Sequence, residues 1–113
     1  MIEYWHNPRC SKSRAALALL EEQGAELTVR RYLDDAPTAD EIRAVMAGLG
    51  VNAIDMMRPG EKLFRELGLS KSDSDDALIA AMEANPILIE RPIAIAGTRA
   101  AIGRPPEQVL DVL

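Results

Sequence analysis

The first third of the chain has the order strand, helix, strand, and this order constrains the fold more than any other feature. Residues 1–5, "MIEYW", are short and rich in aromatic side chains, which is typical of a strand. A helical apolar face begins after Ser11, and Gly24 is a suitable stop. Residues 26–33, "ELTVRRYL", alternate in polarity and predict a second strand. Two strands joined by a helix at this spacing are expected to be parallel, with a right-handed crossover.

The middle of the chain is predicted to be helical. Thr38 and Glu41 have the T-x-x-E spacing of a capping box, ahead of apolar positions that mark a helix ending by Gly50. A short helix is predicted over residues 61–67, and a longer one over residues 73–84. These helices form an insertion between the opening unit and the strands that follow.

The last quarter of the chain predicts a hairpin and a closing helix. Residues 93–95 and 99–102 are expected to pair across a turn at Gly97. Two prolines then start a helix, whose predicted apolar face is Val109, Leu110 and Leu113. The whole chain, residues 1–113, is therefore predicted to be one α/β domain in which a four-stranded mixed sheet is flanked by helices.

Charge and cysteine content exclude several classes of protein. The net charge of −5 and the pI of about 4.8 argue against a nucleic-acid binder. One cysteine cannot form an internal disulfide, and one cysteine with one histidine falls short of a metal site. The opening residues lack the apolar core of a signal peptide, and no apolar run approaches the roughly 20 residues of a membrane span. These observations favour a reducing, cytoplasmic setting with no membrane partner.

The stretch "YWHNPRCSKSR" contains the sole cysteine, Cys10, and the sole histidine, His6. Arg9, Lys12 and Arg14 surround the sulfur in sequence. A thiol at the start of a helix and beside cations has a lowered pKa, because both favour the thiolate. The same free N–H groups and cations can hold an oxyanion. The stretch therefore predicts a reactive thiolate that attacks a bound oxyanion.

Several segments in register give the chain a family resemblance. "HNPRCSKSR" resembles the active-site loop of the glutaredoxin-coupled arsenate reductases, the ArsC family, whose fold is thioredoxin-like with a helical insertion. "RYLDDAPTADEI", "MRPGEKLFRELGL", "NPILIERPIAI" and "IGRPPEQVLDVL" are similar to later segments of that family. The resemblance thus runs the full length of the chain and implies the same fold.

The resemblance implies a role for five residues. Cys10 matches the nucleophile that attacks arsenate, and His6 matches a histidine that helps to lower the pKa of the nucleophile. Three arginines match those that hold the oxyanion: Arg58, Arg91 and Arg104. The roles of Arg9, Lys12 and Arg14 stay open.

The resemblance also implies the partners and the course of the reaction. Pro92 is expected to be the cis proline of the thioredoxin-like fold, which would bring Arg91 near the thiol. The thiolate would form an adduct with arsenate, glutathione as co-substrate would attack that adduct, and glutaredoxin would remove the glutathione. No bound cofactor or metal is implied. Replacement of Arg30 by alanine, on the predicted second strand and away from the thiol loop, is expected to have almost no effect on the steady-state rate.

Two other functions stay open at this stage. A glutathione-dependent thiol reductase would use Cys10 alone, but it would not explain three further arginines in matching segments. A non-enzymatic regulator similar to Spx would use the same fold to contact RNA polymerase. Oxidation-sensing members often have C-x-x-C, whereas this chain has "CSKS" with Ser13 in the second place, so an internal disulfide switch is impossible.

Overall fold

A single mixed sheet organises the molecule. The computed structural model describes residues 1–113 and contains the strands β1 (Ile2–Trp5), β2 (Leu27–Arg30), β3 (Ile93–Ala96) and β4 (Arg99–Ile102). Their order across the sheet is β2-β1-β3-β4. β1 is parallel to β2, whereas β3 is antiparallel to both β1 and β4. The predicted four-stranded mixed sheet and the predicted hairpin are confirmed.

Helices lie on both faces of the sheet, and most of them lie in the sequence between β2 and β3. The helices are α1 (Ser11–Glu22), α2 (Ala39–Leu49), α3 (Lys62–Glu66) and α4 (Asp75–Ala84). The last three, with a short 3-10 turn over Ala53–Met56, form the predicted helical insertion between β2 and β3. None of the helices is both long enough and apolar enough to cross a membrane.

Adjacent residues along the strands pack into hydrophobic cores on opposite faces of the sheet. Tyr4 packs with Ala16, Leu20 and Val109 on the face of the sheet that α1 covers. Trp5 packs on the other face with side chains from the helical insertion. This alternation follows from the two-residue period of a strand. The sheet is therefore packed between two hydrophobic cores.

The predicted helix boundaries agree with the observed caps. Thr38 Oγ1 accepts from the backbone N–H of Glu41 at 3.2 Å, and Glu41 Oε1 accepts from the N–H of Thr38 at 3.0 Å, which completes the capping box. Gly24 and Gly50 follow α1 and α2 with φ values of 70° and 69°. Only glycine adopts this left-handed region without strain, so both helices end where the sequence indicated.

Two predicted elements differ from the structure. The second strand ends at Arg30 and not at residue 33, because the chain turns there and buries Tyr32 while Leu33 stays 40 % exposed. The closing segment, Pro106–Val112, is a 3-10 helix. A 3-10 helix places residues i and i+3 on one face, so Val109 and Val112 are buried and Leu113 is 51 % exposed.

Candidate active site

The thiol loop connects β1 to α1 at one edge of the sheet. Cys10 is the N-cap residue of α1, with φ −96° and ψ 122°, and its backbone N–H donates to Asn7 O at 3.0 Å. The loop is compact because Asn7 Oδ1 also accepts from the N–H of Arg9 at 3.0 Å. The predicted placement of Cys10 between a strand and a helix is therefore confirmed.

Several groups act on the thiol of Cys10. Partial burial alone would raise the pKa, but the backbone N–H groups of Ser13 and Lys12 and the charges of Arg91 and Arg104 outweigh burial, so that the pKa lies below its ordinary value. The N–H groups belong to the first turn of α1, where they have no partner within the helix. The lowered pKa increases the thiolate fraction at neutral pH, and the thiolate is the nucleophilic form.

Arg91 and Arg104 reach the same sheet edge from two antiparallel strands. Arg91 lies two residues before the start of β3, and Arg104 lies two residues after the end of β4. The Arg91–Pro92 bond is cis, as predicted, and the Arg104–Pro105 bond is cis as well, which the sequence did not indicate. The Nε–H of Arg104 donates to Arg91 O at 2.9 Å, so the two arginine segments are tied together.

Arg58 comes from the helical insertion and is held against the segment before β3. Its backbone N–H donates to Leu88 O at 2.8 Å, and the N–H of Glu90 donates to Met56 O at 2.8 Å. These bonds flank an isolated bridge between Met57 and Ile89. The insertion thereby brings residue 58 beside residues 90 and 91, which are more than thirty positions away in sequence.

The three predicted arginines line one cavity, which we call the arginine cavity. It has a volume of about 410 Å³ and is lined by Arg58, Pro59, Gly60, Glu61, Glu90, Arg91 and Arg104. Two carboxylates form ion pairs with the three guanidinium groups. Glu61 lies 3.1 Å from Arg58, and Glu90 lies 2.9 Å from Arg104 and 3.4 Å from Arg91. The buried Nε of Arg91 has no partner. The cavity therefore keeps a positive excess and an unused donor.

His6 is buried and is held by a serine that the sequence did not single out. Its Nδ1 lies 2.7 Å from Ser13 Oγ, and the same hydroxyl accepts from the backbone N–H of Asn7 at 3.0 Å. Burial, followed by the charges of Arg31 and Arg14, lowers the pKa of His6, so the imidazole is neutral at pH 7. Ser13 is a polar residue on the apolar face of α1, and this was the available signal for a buried hydrogen bond.

Tyr32 is a second residue that the sequence analysis missed. Burial raises its pKa to about 12, and the groups whose charges act on its hydroxyl include Arg91, Arg58 and Cys10. Tyr32 is thus a neutral, buried phenol on which the charges of both the thiol and the arginine cavity act. The sequence predicted Tyr32 to lie within the second strand, so its pattern gave no signal of this position.

Known proteins resemble the chain over nearly its whole length. The sequence profile of the ArsC family matches residues 5–112. A protein of Escherichia coli K12 named "Uncharacterized protein YfgD" is 49 % identical over 99 % of this chain and 96 % of its own length. An "Arsenate reductase" of Neisseria meningitidis is 48 % identical over 99 % of this chain and 97 % of its own.

Solved structures show the same fold. A structure described as "Arsenate reductase from Vibrio cholerae" superimposes with a TM-score of 0.94 and 49 % identity, covering 99 % of this chain and 97 % of that one. A structure described as "Putative arsenate reductase from Yersinia pestis" has a TM-score of 0.92 and 45 % identity. The expected thioredoxin-like architecture with a helical insertion is therefore confirmed.

Proposed function

Because the chain belongs to the ArsC family, we propose that it is an arsenate reductase that acts through a Cys10 adduct resolved by glutathione and glutaredoxin. The observation that carries the proposal is the convergence of Arg58, Arg91 and Arg104 on one cavity. The charges of two of them, Arg91 and Arg104, act on the thiol of Cys10. Relatives named arsenate reductase at 48 % identity support the same activity. A thiol reductase acting on disulfides alone does not explain why three arginines from separate segments line one cavity.

Arsenate fits the charge and the geometry of the arginine cavity. The protein as a whole carries a net charge of −5, so an oxyanion needs a local excess of cations to bind. Guanidinium groups donate two parallel N–H bonds to neighbouring oxygens, which suits a tetrahedral anion. The excess of guanidinium groups over carboxylates in the cavity provides this capacity.

The first step is attack by the Cys10 thiolate on arsenic. A sulfur–arsenic bond forms, and one arsenate oxygen leaves and takes protons to become water. Negative charge on the remaining oxygens grows as the five-coordinate transition state forms, and fixed guanidinium groups stabilise that charge without having to reorganise. The lowered pKa of Cys10 supplies the nucleophile at neutral pH.

The second step is reduction by an outside thiol, because the chain has no second cysteine. The glutathione thiolate forms a bond to Cys10 Sγ, and the sulfur–arsenic bond breaks with its electron pair remaining on arsenic. Arsenic passes from the +5 to the +3 state while two thiolates are oxidised to a mixed disulfide. Glutaredoxin then accepts the glutathionyl group and returns Cys10 as a thiolate.

His6 is proposed to act by position and not by charge. Because it is neutral at pH 7, its contribution is the hydrogen bond to Ser13, which fixes the first turn of α1 against the thiol loop. That turn supplies the N–H groups that lower the pKa of Cys10. We therefore assign His6 a positioning role.

The test is arsenate-dependent oxidation of NADPH in the presence of glutathione, glutaredoxin and glutathione reductase. We expect turnover by the wild-type protein and none by Cys10→Ser, whose fold should be intact because only the sulfur changes. Reduction of glutathionylated substrates without any arsenate-dependent turnover would contradict the proposal in favour of a thiol reductase. Failure of both reactions would favour the regulator.

A further inference from the structure

The sheet topology places a second basic cavity on the opposite side of the thiol loop from the arginine cavity. β1 and β2 are parallel, so their carboxyl ends, at Trp5 and Arg30, lie at one edge. β3 begins and β4 ends at that same edge, because Ile93 pairs with both Trp5 and Ile102. In the order β2-β1-β3-β4, the strand β1 lies between β2 and β3. The residues that follow β2 therefore lie on one side of the thiol loop, which follows β1. The arginine cavity lies on its other side.

The cavity on the β2 side, which we call the second groove, is formed by the thiol loop and the turn after β2. Its volume is about 270 Å³, and its lining residues are His6, Asn7, Pro8, Arg9, Arg31, Leu33 and Asp34. Cys10 directly follows the His6–Arg9 wall of this groove. Cys10 therefore adjoins the second groove through the chain, and the charges of Arg91 and Arg104 in the arginine cavity act on its thiol.

The two arginines of the second groove have no anionic partner. Arg9 and Arg31 are exposed, and neither guanidinium lies within ion-pair distance of a carboxylate, although Asp34 lines the same groove. By contrast, the neighbouring Arg30 is surrounded by carboxylates. The charge of Arg31 also depresses the pKa of His6, after burial as the larger cause, which indicates a positive potential inside the groove.

The chemistry of the second step needs access from that side. When a thiolate displaces a group from sulfur, the attacking sulfur, the attacked sulfur and the leaving atom align. With arsenic held in the arginine cavity on the β3 side of Cys10, the attacking thiol must approach from the β2 side. The second groove is the cavity on that side, and its free cations suit a thiol that carries carboxylates.

We propose that Arg9 and Arg31 bind the carboxylates of the resolving thiol, a glutathione-like peptide, in the second groove and direct its sulfur at Cys10 in line with the departing arsenite. This inference rests on the proposed function, since it assigns the entry side of its second substrate. It leaves the arginine cavity to the oxyanion alone. Each substrate then has its own set of arginines.

The experiment isolates the second step from arsenate. Because Cys10 is the sole cysteine, it can be converted quantitatively to a mixed disulfide with 2-nitro-5-thiobenzoate, whose release by an added thiol is followed by absorbance. Release is measured with glutathione and with its diethyl ester, in which both carboxylates are blocked. For each protein, the rate with glutathione is divided by the rate with the ester. Comparing this ratio between two proteins cancels the difference in intrinsic reactivity between the thiols.

We expect the double variant Arg9→Gln, Arg31→Gln to lower this glutathione-to-ester ratio about fivefold, which is typical of two exposed charge pairs. Lys71→Gln is the matched control, because it removes an exposed cation far along the chain from the groove. Its ratio should stay at the wild-type value. An unchanged ratio in the double variant, or an equal fall in the control, would overturn the inference.

The coupled NADPH assay separates this inference from the proposed function. In that assay the double variant should raise the KM for glutathione and leave the KM for arsenate unchanged. If the wild-type protein shows no arsenate-dependent turnover, the proposed function fails, while the thiobenzoate ratio still decides the groove. A raised KM for glutaredoxin with an unchanged KM for glutathione would mean that the groove binds the protein partner, and the inference would be wrong.

Discussion

Arg30 and the arginine cavity differ in the balance between guanidinium groups and carboxylates. Three carboxylates surround the single guanidinium of Arg30, with Glu3 at 3.6 Å, Asp35 at 3.3 Å and Glu41 in direct contact. In the arginine cavity, two carboxylates serve three guanidinium groups. The same residue type therefore neutralises charge in one region and provides free positive charge in the other. The difference shows that arginine content alone does not identify an anion site, whereas the local carboxylate count does.

The largest expected effect is on stability, in Arg30→Ala. The side chain of Arg30 is 12 % exposed and covers the Trp5 ring with its Cζ 5.9 Å from the ring centroid. Its removal leaves carboxylates without their partner, which should reduce the free energy of unfolding by about 2 kcal/mol. Urea denaturation measures this loss, and kcat per folded molecule should not change.

The control for Arg30 is Arg43→Ala. Arg43 and its partner Asp76 are 50 % and 81 % exposed, so the loss should stay below about 1 kcal/mol. Equal stability losses in the two variants would contradict a structural role for the Arg30 network. A fall in kcat for folded Arg30→Ala would mean that Arg30 also contributes to activity. The contrast between a structural Arg30 and a substrate-binding arginine cavity would then be wrong.

The next effect is on catalysis, in Arg91→Lys. Lysine keeps the charge but cannot reproduce the planar pair of donors, so turnover should fall by tenfold or more, which corresponds to roughly 1.4 kcal/mol in the barrier. Thermal stability should change little, because Arg91 has only Glu90 as an ionic partner. Steady-state kinetics with arsenate and a melting curve test both halves. Wild-type kinetics in Arg91→Lys and in Arg104→Ala would refute the anion-site role of the cavity.

A smaller effect is expected at two glycines that have no room for a side chain. Comparing them separates the effect of overpacking on stability from the effect of displaced arginine segments on activity. A Cβ at Gly103 would lie 2.6 Å from Pro92 Cγ, and a Cβ at Gly48 would lie 2.9 Å from Thr98 O. Both alanine variants should lose about 1 kcal/mol of stability to overpacking. Gly103→Ala should also reduce kcat several-fold, because the displaced segments carry Arg91 and Arg104. Equal activity in the two folded variants would show that these segments tolerate displacement.

The smallest effect concerns the pH dependence of the thiol. Alkylation of Cys10 by iodoacetamide should have its midpoint below the value of about 8.5 for a free thiol, because N–H groups and arginine charges lower the pKa of Cys10. Removing a positive charge disfavours the thiolate, so Arg104→Gln should raise the midpoint and slow alkylation at neutral pH. Arg30→Gln should leave the curve unchanged. A midpoint at or above the free-thiol value in the wild-type protein would contradict the reactive-thiolate role.

Local chemistry determined which parts of the fold the sequence could predict. The capping box at Thr38 and the glycine after α1 depend on neighbours within a few residues, and both are confirmed. The end of β2 depends on where Tyr32 is buried, which is a tertiary contact. Strand alternation therefore extended the predicted strand three residues too far at its C-terminal end. The 3-10 geometry of the closing segment was also missed.

The candidate site shows the same limit. The sequence placed Cys10 at the start of a helix because strand, loop and helix are contiguous. The convergence of Arg58 with Arg91 depends on the contact between residues 56–58 and 88–90, and only the family resemblance indicated it. The carboxylates Glu61 and Glu90, which set the charge of the cavity, had no pattern that distinguished them from other surface acids.

The burial of Trp5 has an optical consequence. It is the sole tryptophan, it is 1 % exposed, and it lies at the end of β1 directly before the thiol loop. Its indole N–H has no partner and its ring lies beneath a guanidinium, so the excited state has an apolar surrounding with one charge above it. Emission from this ring should move to longer wavelength when water reaches the end of β1. The protein thus contains a native fluorophore that reports, without labelling, on the strand that leads into the thiol loop.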